Sequence, residues 1–184
     1  MPIELDERAA LIVVDLQAGT VRNPFAHDID GVIERATALA ASFRAHGRPV
    51  VIARSTGMPT GRNAYGPGGA RQLPADYADP APGLQPEAGD LTVERTGWNA
   101  LTDPLDRALR ELGVTQVVVA GVATSFGIES TARAAYDRDY HVVLVQDAMT
   151  DMTEARHDGV VAGTFPILGQ VAFADEVLAL LDRA

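Results

Sequence analysis

Six short apolar runs punctuate this chain, and most alternate with stretches whose apolar positions recur at helical spacing. The first run, Ala10-Leu11-Ile12-Val13-Val14-Asp15, is nearly all aliphatic and β-branched, as a strand buried on both faces should be. A helix follows from about Ile29 to His46, with Val32, Ile33, Ala36, Leu39, Ala40 and Phe43 on one stripe. Asp28 suits its cap and Gly47 its stop. A second strand is expected over Pro49–Arg54 and a third over Leu91–Arg95, then a helix over Pro104–Leu112 with proline in its first turn. Thr115–Val122 is the central strand by composition, and a helix over Ser125–Arg138 leads to a strand at His141–Gln146. A helix at Thr153–Ala162, a strand at Gln170–Ala172 and a helix at Asp175–Leu181 complete the pattern.

Strands that alternate with helices imply right-handed crossovers and a mostly parallel sheet covered on both faces. Ligands of such sheets bind beyond the carboxyl ends of the strands. That rule singles out Asp15 to Gln17, Arg54 to Thr56, Arg95 to Trp98, Ala123 to Gly127, and Asp147-Ala148. The segment 55–89 breaks the alternation, being rich in glycine and proline and without period. An irregular excursion of that length predicts a lid or rim over a pocket, or a contact between subunits.

Composition narrows the chemistry. At 184 residues the chain is a single domain, 1–184, without an apolar run long enough to span a membrane. An acidic start that runs straight into a strand is expected of a cytoplasmic protein. Cysteine is absent, which removes disulfides, thiolate metal sites and a cysteine nucleophile together. Lysine is absent too, all fifteen basic residues being arginine, so Schiff-base chemistry is excluded. A net charge of −10 without a basic stripe argues against a nucleic-acid partner. The histidines His27, His46, His141 and His157 are dispersed, and none lies within 55–95, so neither a metal nor another cofactor is expected. The expected partner is a small-molecule substrate.

Asp15 ends the first strand at the rim of a dry sheet, where desolvation raises a carboxyl toward a useful general base; equally, it could cap a turn or pair with an arginine. The string Gly121-Val122-Ala123-Thr124-Ser125-Phe126-Gly127-Ile128-Glu129-Ser130-Thr131-Ala132-Arg133 describes a strand, a tight turn and a helix start. Thr124 or Ser125 would cap that helix, and its first N–H groups would suit an oxyanion or carboxylate. No phosphate loop or nucleophile elbow is present, which leaves a nucleotide or flavin binder poorly supported.

These residues, with Leu11 to Gln17 at the start and Asp147-Ala148 near the end, resemble the isochorismatase-like hydrolases, a family that includes isochorismatases, nicotinamidases and N-carbamoylsarcosine amidases. The resemblance covers nearly the whole chain. It implies a three-layer α/β/α architecture with a six-stranded, mostly parallel, Rossmann-like sheet, a non-proline cis peptide at Val122–Ala123, and a homodimer or larger homo-oligomer. Many such enzymes use an Asp–Lys–Cys triad. Here Asp15 matches the aspartate, Arg95 stands at the lysine position three residues before Trp98, and Gly127 holds the cysteine position.

Gly127 cannot attack a substrate, so a covalent thioester route is closed. Two hydrolytic routes stay open: Asp15 as an acid protonating a vinyl ether, or Asp15 as a base activating water, with Arg95 and helix N–H groups holding an oxyanion. Arg95 cannot shuttle protons, but it can bind a carboxylate with two parallel bonds, and against Asp15 it would lower that carboxyl's pKa. Ser125 is either a replacement nucleophile or only a cap. Gln17, Arg54, Trp98, Ala123, Thr124, Ser125 and Phe126 are expected to line the substrate pocket, although Trp98 could instead sit in an interface. The reading is a hydrolase of a small anionic or carbonyl-bearing metabolite, without a covalent intermediate. The alternative is a family member that has lost catalysis and serves as a binding or scaffold protein.

Overall fold

The computed structural model describes residues 2–64 and 73–183, so residues 65–72 of the expected lid fall outside the described residues. The strands are β1 (Ala9–Val14), β2 (Val50–Ser55), β3 (Leu91–Arg95), β4 (Gln116–Val122), β5 (His141–Thr150) and β6 (Gln170–Ala172). The helices are α1 (Ala18–Val21), α2 (Ile29–Ala45), α3 (Asp103–Glu111), α4 (Glu129–Tyr136), α5 (Glu154–Gly163), α6 (Phe165–Leu168) and α7 (Ala174–Leu181). All six strands run parallel in the order β3-β2-β1-β4-β5-β6. Chain order therefore reverses between β1 and β4, which places a crevice beyond their carboxyl ends.

The near-continuous apolar strands follow from cover on both faces. Leu11 and Val13 of β1 join Ile52, Val118 and Val143 in one core, packed with Leu39 and Phe43 of α2 and Val177 of α7. Their neighbours Ile12 and Val14 join Val51, Val119 and Leu144 in the opposite core, against Leu105 and Leu109 of α3 and Phe165 of α6. Alternate strand residues thus serve opposite faces, and each flanking helix supplies the matching stripe.

Local signals place the ends of α2. The Asp28 carboxylate accepts from the backbone N–H groups of Asp30 and Gly31 at 3.3 and 3.2 Å, and Gly47 turns away at φ 64°. β5 outruns its expected end at Gln146 because its register with β4 shifts: Leu144 pairs with Val119, but Met149 pairs with Gly121. The expected Ser125–Arg138 helix divides into a π-helical turn, Thr124–Ile128, and α4. The helices α1 and α6, four residues each, are too short to show a period. No helix among the described residues is long and apolar enough to cross a membrane.

Candidate active site

The β1–β4 crevice is shaped by three pieces of backbone. Asp15 leaves β1 at φ 53°, a left-handed conformation that costs a non-glycine residue roughly 1–3 kcal/mol and turns its carboxylate off the strand direction. Gly121 sits beside it at φ 124°; a Cβ there would lie 2.0 Å from the Val14 carbonyl oxygen, so only glycine lets β4 pass this close. The Val122–Ala123 peptide is cis and leads into the π-helical turn.

Arg95, at the end of β3, reaches across β2 to Asp15. Its Nη1 and Nη2 donate to Asp15 Oδ1 and Oδ2 at 2.7 and 2.9 Å. Nη2 also donates to the Trp98 carbonyl at 3.0 Å, and Nε to that of Asn99 at 3.1 Å. Both residues of the pair are nearly buried. Burial pushes the Asp15 carboxyl above its ordinary range, and Arg95 only partly offsets this through hydrogen bonding and charge. The expected lowering by Arg95 is thus present but outweighed. Arg95 is also turned from the role expected of it, since its donors clamp Asp15 and two carbonyls rather than face the cavity.

The cavity above Asp15 measures about 410 Å³. Asp15, Trp98, Ala123, Phe126 and Gly127 face it, joined by Phe25, Met58, Tyr77 and Met152, which the sequence did not single out. Trp98 packs against Phe126 with ring centroids 4.8 Å apart. A Cβ on Gly127 would lie 3.0 Å from Val14 Cγ1, 3.1 Å from the Val122 carbonyl oxygen and 3.4 Å from Asp15 Oδ2, so a side chain here would be crowded by β1 and β4 and would stand beside the carboxylate. Tyr77 comes from the excursion; its phenol is pushed up by burial and then by the Asp15 charge. A larger cleft of about 530 Å³ surrounds Arg35, Asp147 and His157, but Asp15 and the strand-order reversal are not part of it.

Four expected pocket residues do other work. Gln17 is fully buried: its Nε2 donates to the carbonyls of Ser55 and Tyr77 at 2.8 and 2.9 Å, and its Oε1 accepts from the Ser55 N–H at 2.8 Å. It staples β1 to β2 and the excursion. Arg54 is drawn sideways, to Glu94 at 2.7 Å and the Ala78 carbonyl at 3.1 Å. Thr124 is buried, with its Oγ1 2.9 Å from His157 Nδ1. Ser125 is absent from the cavity lining, and neither it nor Thr124 caps the helix. The capping falls instead to Asp151, a fully buried carboxylate at the end of β5 that accepts from the N–H groups of Ser125 and Met152 at 2.6 and 2.7 Å. The N–H groups of Phe126 and Ile128 return to the Ala123 carbonyl. Of the N–H donors expected to be free, those of Ser125, Phe126 and Ile128 are therefore spent. Asp151 was invisible because its partner lies 26 residues away. Of the four histidines, His157 is buried; its ring meets that of His27 edge-on at 4.8 Å, and burial, then His27, lower its pKa.

Comparison with known proteins agrees with this fold. Residues 9–176 match the isochorismatase domain. The isochorismatase family protein YwoC of Bacillus subtilis is 33% identical, over 94% of this chain and 93% of its own. The ureidoacrylate amidohydrolase RutB of Methylobacterium radiotolerans is 31% identical, over 100% of this chain and 84% of its own. An isochorismatase family protein from Burkholderia thailandensis superposes with a TM-score of 0.89 at 34% identity, covering 97% of both chains.

Proposed function

This chain belongs to the isochorismatase family of hydrolases, and on that premise we propose that it hydrolyses a small carbonyl-bearing metabolite with water as the nucleophile and Asp15 as the general base. The observation that carries the proposal is the Asp15–Arg95–Gly127 arrangement. Both Asp15 oxygens accept from Arg95, which favours the ionised carboxylate, while burial makes that carboxylate more basic than an exposed one. Gly127 offers no nucleophile and faces the same cavity as Asp15. Asp15 takes a proton from water, the water oxygen bonds to the carbonyl carbon, the bond to the leaving group breaks, and Asp15 returns the proton to that group. Arg95 is a positioning residue in this scheme. The amide named for the RutB relative is consistent with such a substrate.

The upward shift of Asp15 supports a second reading, protonation of a vinyl ether by a neutral Asp15. One experiment separates the two. The protein and Asp15→Asn are incubated with ureidoacrylate, a panel of small amides, and isochorismate, in isotopically labelled water and across pH. The expected result is amide hydrolysis that rises with pH, label in the product, no mass adduct on the chain, and at least about a hundredfold loss in Asp15→Asn. Turnover of isochorismate alone, falling as pH rises, supports the acid role instead. A trapped covalent adduct, an equally active Asp15→Asn, or no turnover of any compound overturns the proposal.

A further inference from the structure

We propose that Arg156 recognises a carboxylate on the substrate at the mouth of the Asp15 cavity, so that the protein selects molecules joining an apolar or aromatic body to an anionic end. The inference rests on the reading of that cavity as the substrate site.

The interior of the cavity cannot make this recognition itself. Its walls are mostly apolar and aromatic, and its innermost charge, Asp15, repels an anion. The nearest cation, Arg95, spends its donors on Asp15 and the carbonyls of Trp98 and Asn99. Arg54 is held by Glu94 and the Ala78 carbonyl. A charged end of the substrate therefore meets no cation among the lining residues, only a carboxylate, and is better accommodated near the opening.

Arg156 lies outside the cavity wall but against one of its side chains. It is the third residue of α5, and its guanidinium carbon lies 5.6 Å from the centroid of the Phe126 ring, the same ring that faces the cavity and packs on Trp98. Phe126 thus touches both Trp98, which lines the cavity with it, and Arg156, which does not line it. Arg156 is exposed and forms no ion pair with any described residue, in contrast to Arg133 and Arg138 on the neighbouring α4 and its end, which are both paired. The nearest acid by sequence that is buried, Asp151, already accepts two N–H groups. A guanidinium lying against an aromatic ring is pre-oriented while its outward donors stay free for a carboxylate. In a chain of net charge −10, such a local cation is also what an approaching anion needs.

The test uses Trp98, the chain's only tryptophan, as a reporter that does not depend on turnover. Its fluorescence is titrated with benzoate and with benzamide, an anionic and a neutral probe of one shape, in the wild type, Arg156→Gln and Arg156→Lys. Benzoate should bind roughly three- to fivefold more tightly than benzamide at low salt, as an exposed charge pair permits. The preference should vanish in Arg156→Gln, partly return in Arg156→Lys, and fade as salt is raised. Equal binding of the two probes to the wild type, or a preference that survives Arg156→Gln, overturns the assignment while leaving the cavity as a substrate site. Failure of both probes to perturb Trp98 overturns the assignment together with the reading of the cavity.

Discussion

Opposing effects meet at Asp15. Burial raises its pKa, and Arg95 pulls it down through two short parallel bonds and its charge. If Asp15 acts as a base it must be ionised, so kcat/KM should fall on the acid side with a limb above the ordinary aspartate value of 3.8. Arg95→Gln removes the lowering contributions of the guanidinium and leaves the desolvation and the Ser55 backbone hydrogen bond. The acid limb of its pH–rate profile should therefore move further up, with a drop in kcat of about a hundredfold as the carboxylate loses its clamp. A limb that stays put would show that Arg95 does not tune Asp15. Residue identity alone could not give this balance. The pairing of Asp15 with Arg95 was one of several open readings, and the sign of the shift depends on how dry the pair is.

Among the elements, the π-helical turn Thr124–Ile128 decides the most. It carries Phe126 and Gly127 to the cavity, yet it is held from behind, by Asp151 through the Ser125 N–H and by His157 through Thr124. His157 has a folded pKa below its ordinary 6.5, because burial and then His27 disfavour its charge. The unfolded chain thus takes up a proton more readily than the folded one. The stability this neutral histidine lends is complete above about 6.5 and is lost as pH falls through the folded value. Urea melts at pH 7.5 and 5.5 should show a decline that is shallower in His157→Gln; parallel declines would remove His157 from the account. The strands, α2, α3 and α7 were legible because each repeats its period over a long enough run. The tight turn was legible too, but not its π form or its cap, since Ser125 and Asp151 are joined only by the fold and π geometry leaves no pattern in five residues.

For the whole molecule, one sheet separates two cores. Phe43 is wholly buried in the α2 core among Leu39, Ala40 and Val50. Phe43→Ala should cost about 3–5 kcal/mol, measured as a fall in the urea midpoint without a change in m-value. A cost under about 1 kcal/mol would mean that the α2 layer adds little to the fold. The order β3-β2-β1-β4-β5-β6 brings the ends of β1, β3 and β4 around one opening, which is how residues 15, 95 and 127 come to share a site.

The chain's own pattern determined its class: aliphatic runs alternating with amphipathic ones admit a covered parallel sheet, and the missing cysteine closes thiol chemistry wherever the chain bends. It also nominated Asp15, Arg95, Trp98, Phe126 and Gly127, because strand ends and a long turn motif are local features. Which nominees face the cavity was decided by tertiary structure alone. Gln17, Arg54 and Thr124 carry the same polar groups as true lining residues, but partners supplied by distant segments consume those groups in staples and ion pairs. Hydrogen-bonding capacity is set by the side chain; whether any is left for a substrate depends on what the fold brings within three ångströms.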